Sequence, residues 1–358
     1  MKKVGREPQK LETLNLFSML RPGKEGTLND PANRQSFLAQ VDSGLTNALS
    51  SESTLHGIRV QTMFRSLVTN LDSVQLIKEE DAGECYYKLP AEILIPDFRI
   101  VTDKGDPFLI ETKNHFAKDP LKRYRIRHSD VLALGRYADL TGVAFRFAIY
   151  WAALNQWTLN DPKRFAVNGD YAEIEFFRAY KESEMASLGD FAVGTLYPIT
   201  LRLNADMDKP RETSPARHVT MTTGSAEITV GDVLIEDKAE KNIALYLMMY
   251  GKWNYDGAQV EFDEQGLPIA VVHQVAPENP IPDQGFEIIG SLSSLYSQVY
   301  NSLTLEQGCV SQLNVKNPAS LAPIIPRHFQ KKQLPLWRFI LQPNHEEPKP
   351  SEEASASS

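Results

Sequence analysis

Apolar residues recur at helical spacing through Leu55, Ile58, Met63, Phe64, Leu67 and Leu71, and the same period runs from Gln35 to Leu49. Ser51 or Ser53 stands where the second of these helices needs an N-cap. The period then shortens. Val74 to Ile77, Glu84 to Leu89, Glu92 to Thr102 and Pro107 to Lys113 are short runs rich in β-branched and aromatic residues. Turn formers such as Asp81-Ala82-Gly83 and Asp103-Lys104-Gly105-Asp106 separate them, so they read as strands, the last two as a hairpin. A further helix spans Ser129 to Leu140 and closes at Thr141-Gly142. Ala144 to Trp151 is a near-continuous apolar run of the kind buried on both faces of a sheet. The order is helix, antiparallel strands, helix, buried strand.

Beyond Asn160 the periodicity predicts a helix over Tyr171 to Ala186, strands within Arg217 to Ile235 and an apolar helix from Lys238 to Tyr250. Val260 to Phe262 and Ile269 to Val272 flank Asp263-Glu264-Gln265-Gly266 as a hairpin. Ile288, Leu292, Leu295, Val299 and Leu303 form one helical stripe, read as core in preference to a dimer face. Trp151, Trp157, Tyr150 and Phe165 read as packing between two lobes. The predicted organisation is a loosely packed lead-in over 1–33, a core over 34–160, a second α+β lobe over 161–342 and an acidic tail over 343–358. That tail, PNHEEPKPSEEASASS, has almost no apolar residue to offset the entropy of ordering it, so disorder is expected.

The chain has 358 residues, enough for more than one core, since single cores stop growing near roughly 250 to 300 residues. A net charge of −8 excludes a protein coated in positive charge for nucleic acid and leaves the matter to local patches. Cys85 and Cys309 are too few for a zinc site or a disulfide framework, which fits a reducing cytoplasm. No apolar run reaches the roughly 18 to 20 residues that span a bilayer, and the basic start MKKVGREPQK is not followed by one, so a cytoplasmic protein without membrane contact is expected.

One constellation carries chemistry. Phosphodiester hydrolysis needs a cation to neutralise charge on the phosphate and a water aimed at phosphorus. Magnesium takes oxygen ligands, one or two of them protein carboxylates. Ile95-Pro96-Asp97-Phe98-Arg99 followed by Leu109-Ile110-Glu111-Thr112-Lys113-Asn114 supplies such groups. On a strand Glu111 and Lys113 share a face, the turn near Lys104-Gly105 brings Asp97 alongside Glu111, and the Thr112 carbonyl could add a ligand. An acid, any residue and a lysine is by itself worthless as a signal, since Asp161-Pro162-Lys163, Glu236-Asp237-Lys238 and Glu347-Pro348-Lys349 fit it too. Only the triplet at 111 ends an apolar strand, pairs with Pro96-Asp97 and precedes a basic segment, a helix and a buried strand. The bland alternative is a solvated hairpin with a surface salt bridge between Glu111 and Lys113.

On these residues and this order of elements, positions of about 50 to 155 resemble the PD-(D/E)XK nuclease superfamily. The resemblance implies an α/β fold with a restriction-endonuclease-like core, a mixed sheet flanked by helices, followed by the second lobe. It implies that Asp97 and Glu111 bind Mg²⁺, with Mn²⁺ as substitute, and that Lys113 organises the nucleophilic water. Many members also place a glutamate on the helix before the sheet. Glu52 is the acid available there, while Gln61 occupies the more central position.

The run after the triplet supplies Lys118, Lys122, Arg123, Arg125 and Arg127 to hold a phosphate backbone, with Phe116 and Tyr124 placed to stack on bases. There is no GxxxxGK[ST] for ATP, no GxSxG elbow and no HExxH pair. The reading is a Mg²⁺-dependent nuclease that cuts DNA in preference to RNA, with bacterial restriction or anti-phage defence as its setting by analogy. A partner protein or a second copy would dock on the second lobe. The alternatives are a catalytically silent adaptor on a nuclease scaffold, and an RNase on the same fold.

Overall fold

A computed structural model describes residues 12–20, 30–82, 85–215, 218–315 and 331–344, with Met1, Ile325 and Phe329. Helices α1 (Glu12–Leu20) and α2 (Pro31–Ser50) bury no side chain. The second starts four residues before its apolar period because Asp30 accepts from Ala32 N–H and Pro31 presets the first turn. Helix α3 (Glu52–Val68) begins at Ser51, whose hydroxyl accepts from Thr54 N–H.

The next elements are β1 (Val74–Glu79), β2 (Phe98–Thr102), β3 (Pro107–His115), β4 (Tyr124–Arg127), α4 (His128–Thr141), β5 (Ala144–Trp151) and β6 (Gln156–Asn160). Five of these strands form one mixed sheet in the order β1-β2-β3-β5-β6. Its β2–β3 hairpin turns through Gly105 at φ 85°, and β3 and β5 run parallel from Phe108↔Ala144 to His115↔Trp151. A parallel pair cannot be closed by a tight turn, so residues 116–143 cross over, carrying α4 to the face opposite α3. Gly142, at φ 64°, ends α4 and releases the chain into β5.

Alternation along the strands fills two cores at once. Val60, Met63, Phe64, Leu67 and Val68 of α3 pack on Phe98, Ile100, Ile110, Ala148, Tyr150, Trp157 and Leu159. On the other face Leu109, Phe145, Phe147, Ile149 and Trp151 pack on Leu134 and Ala138 of α4 and on Tyr124 and Ile126 of β4. The aromatic group at 150–165 therefore divides: Tyr150 and Trp157 face α3, and Trp151 and Phe165 face α4.

A second five-stranded antiparallel sheet follows, with strands in the order Val233–Ile235, Thr223–Val230, Ile199–Ala205, Pro268–Ala276 and Asn254–Phe262. Helix α6 (Lys238–Tyr250) covers it through Ile243, Ala244 and Leu247. Helix α7 (Leu292–Thr304) touches both halves: Leu295 enters the core under α6, while Tyr296, Val299 and Tyr300 enter the core under α3. Trp157 donates to Ser297 Oγ at 2.9 Å, and Ser66 and Tyr296 hydroxyls lie 2.6 Å apart.

Several expected elements differ. Residues 85–97 form no strand beyond Phe98; Pro90 and Pro96 lack the N–H a ladder needs, and the segment lies on α4 through Leu94 N–H to Ala133 O and Arg136 to Glu92 O. Gly83 and Glu84, where one strand was expected to start, lie outside the described residues. Tyr171 to Ala186 is not one helix: Tyr171–Ile174 is a strand paired with β4 and with Ala166–Asn168, followed by α5 (Phe176–Lys181). Ile288 belongs to a strand, Glu287–Ser291, because the capping box of Ser291 and Ser294 starts α7 after it. Of the acidic tail, residues 345–358 lie outside the described residues.

Phe64 is fully buried, with Phe98 at 6.1 Å and Trp157 at 5.1 Å between ring centroids. Phe64→Ala is expected to lower stability by about 3 to 5 kcal/mol, read as a lower urea midpoint in equilibrium unfolding.

Candidate active site

Asp97 immediately precedes β2, whose first pair with β3 is Phe98↔Ile110, so the next step along the ladder sets Asp97 beside Glu111. Asp97 Oδ2 accepts from Thr112 N–H at 2.7 Å and from the Thr112 hydroxyl, while Oδ1 accepts from Gln61 Nε2 of α3 at 3.0 Å. Its carbonyl accepts from Glu80 N–H at 2.9 Å. The Glu80 carboxylate in turn takes Arg99 at 2.6 Å and Tyr137 at 2.8 Å, and those two bonds outweigh burial and hold its pKa below the usual value. The carboxyl of Asp97 is thus fixed from β3 and α3, and its backbone from Glu80.

Lys113 Nζ lies 2.6 Å from Glu111 Oε1, on the same face of β3. Side-chain exposure is 13% for Glu111 and 31% for Lys113, so the pair is half sheltered and not a solvated surface bridge. Burial raises the Asp97 pKa against the opposing Thr112 bonds and Lys113 charge. Burial, then the charge of Asp97, pushes Glu111 up to about 7 despite Lys113. Burial is the larger cause for both groups, and at Glu111 the neighbouring Asp97 charge, offset by a single lysine, adds to it. The donor set fits one hard divalent cation: two carboxylates retain free lone pairs, since Asp97 accepts three bonds where a carboxylate offers about four sites. Among the described residues no group of three or more His, Cys, Asp or Glu side chains converges as a metal cluster.

Other predicted site residues are scattered. Glu52 is exposed in the first turn of α3, nine residues before Gln61, which places it roughly 13 Å along the axis from the residue that meets Asp97. The helix therefore offers the site an amide, not the acid expected of Glu52. Thr112 orients Asp97 through its N–H and hydroxyl, atoms distinct from the carbonyl expected to serve as a ligand. Tyr124 is not a stacking surface: the alternation of β4 turns Tyr124 and Ile126 inward, and Tyr124 packs edge-on against His115 at 5.9 Å. Arg123 and Arg125 are exposed but pair with the buried Glu173 at 3.6 and 2.8 Å, and Arg125 lies over the Tyr171 ring at 4.3 Å. Lys118, Lys122 and Arg127 are exposed and, among the described residues, in no ion pair. The free positive charge beside the site is thus smaller than the run of cations suggests.

The sequence matches no protein family profile and no curated protein. Among solved structures the chain is similar to Hjc, a Holliday junction resolvase of Archaeoglobus fulgidus, at 14% identity over 25% of this chain and 74% of that chain, with a TM-score of 0.20. A likeness of that size decides neither fold nor chemistry.

Asp81 is an acid that sequence reasoning missed. It is exposed, and burial, then Asp97 and Glu79, raise its pKa. The β1–β2 register, Glu79↔Phe98, is what sets the end of β1 near Asp97, and no short-range signal carries that pairing.

Because the folded protein holds the Glu111 proton up to about 7 against an ordinary 4.5, the neutral form's contribution is fully present below pH 4.5 and is lost as pH rises through 7. Above that, ionised Glu111 costs about 3 kcal/mol at most. In EDTA, Glu111→Gln is therefore expected to melt higher than the parent at pH 8, with the gap closing toward pH 5, as followed by thermal denaturation.

Proposed function

We propose that this protein is a metal-dependent nuclease that hydrolyses DNA phosphodiester bonds on a restriction-endonuclease-like core over 34–160. The observation that carries the reading is the half-buried trio itself: two adjacent carboxylates, Asp97 just before β2 and Glu111 on β3, with burial and then the charge of Asp97 raising the Glu111 pKa, and a lysine 2.6 Å from Glu111. A structural salt bridge needs one acid, and the second acid is what calls for a cation. Asp97 and Glu111 would hold Mg²⁺, or Mn²⁺ in its place, through hard oxygen donors. That ion supplies neutralisation of the charge building on the phosphate.

The remaining work falls to side chains. Thr112 and Gln61 keep the Asp97 carboxylate aimed, which removes a reorganisation cost at the moment of reaction. Lys113, anchored on Glu111, donates a hydrogen bond to the attacking water and holds it in line with phosphorus. Its charge also offsets that of the phosphoryl oxygens as the new P–O bond forms and the ester oxygen departs. Lys118, Lys122 and Arg127 steer the backbone without reading sequence. Residues 161–342 are assigned to recognition of substrate, a partner protein or a second copy.

The test is cleavage of supercoiled plasmid, labelled single-stranded DNA and labelled RNA in Mg²⁺, Mn²⁺ or EDTA. DNA cutting should disappear in EDTA and fall about 100-fold or more in Asp97→Ala and Lys113→Ala. Cutting of RNA alone would reassign the polymer. Binding without cutting under every metal would replace the enzyme by a silent adaptor.

A further inference from the structure

The segment that leaves β3 after Lys113 exposes apolar surface where a nuclease site would meet its substrate. Phe116 is 69% exposed and Leu121 63% exposed, and the solvent-facing Lys118 and Lys122 stand between and beside them. Phe116 is three residues past Lys113, about 10 Å along an extended chain. Its ring is backed by His56 of α3 at 5.3 Å between centroids and 32° between planes. Burial, then the Arg59 charge, lowers the His56 pKa and disfavours a charge on the backing ring. One face of Phe116 is thus braced and the rest of the ring meets water.

Another exposed ring stands eleven residues before Asp97 in the chain. Tyr86, 87% exposed, belongs to the segment that runs over α4 and ends at Asp97. An exposed ring three residues from a charged site is costly in water and useless against a duplex, whose base faces are already stacked on one another. It suits splayed bases, which lie flat on aromatic side chains while cations follow the backbone.

We infer that the site takes unpaired nucleic acid, with Phe116 on its His56 backing as the platform for a base next to the phosphate held at Asp97, Glu111 and Lys113. The inference rests on the nuclease reading for the position of that phosphate. Lys118 and Lys122, in no ion pair among the described residues, supply the matching charge for the strand that crosses Phe116.

The experiment is fluorescence anisotropy of the full chain in EDTA, where no cleavage confuses the titration, with labelled dT20 and with the dA20·dT20 duplex. The expected result is tighter binding of dT20, a loss of about 5- to 100-fold in its affinity for Phe116→Ala, recovery in Phe116→Trp, and unchanged duplex binding in both variants. Circular dichroism of each variant keeps misfolding apart from lost stacking. Equal or preferred binding of the duplex overturns the inference, as does a Phe116→Ala protein that binds dT20 like the parent. Those outcomes leave metal-dependent cutting standing, whereas absence of binding to either polymer both in EDTA and with Ca²⁺ in place of Mg²⁺ removes both readings together.

Discussion

The parallel ladder between β3 and β5 is the constraint on which the rest depends. Eight residues of β3 pair with eight of β5, and two parallel neighbours cannot be joined by a hairpin. The connecting 116–143 segment must therefore leave the end of β3, travel past the site and return as α4. That obligation sets the exposed Phe116 and Lys118 beside Lys113, and it covers the second face of the sheet so that β5 can be apolar on both sides. The same strand that anchors two hydrophobic cores through Leu109 and Ile110 continues through Glu111, Thr112 and Lys113. The candidate site is thus mounted on a strand packed on both faces.

Within that frame the site is a balance of unlike forces. Burial raises the proton affinity of Asp97 and Glu111, the charge of Asp97 adds to it at Glu111, and Lys113, the Thr112 donors and Gln61 hold the pair in place. Such an arrangement spends stability, as sites built for charged ligands do. Gln61 is informative in this respect. It gives Asp97 a donor where another acid on α3 would have added to the repulsion already present among Asp97, Glu111 and Asp81.

The basic segment shows how a local composition misleads. Six cations between Lys113 and Arg127 read as a phosphate-binding run, yet β4 pairs with Tyr171–Ile174 and delivers Arg123 and Arg125 to Glu173. A buried acid left without cations would cost several kcal/mol, so these arginines are committed to structure. Tyr124 fails as a stacking residue for the same reason: the strand it sits on turns it into the core. Phe116, in the irregular stretch before β4, escapes that pairing.

The sequence alone determined whatever depends on neighbours close along the chain. Helical stripes placed α3, α4 and α6, the Asp103-to-Asp106 turn placed the β2–β3 hairpin, and alternation along 107–115 set Glu111 and Lys113 on one face with Asp97 across from them. The tertiary structure alone decided whatever depends on partners far along the chain: that residues 85–97 lie on α4 instead of pairing, that β4 and Tyr171–Ile174 form a ladder, that α7 reaches both cores, and that Gln61 instead of Glu52 meets Asp97. The physical reason is the same in each case. Periodicity and turn chemistry are local properties of the backbone, whereas strand pairing, ion pairing and helix register are settled by burial and charge brought together only when the chain has folded.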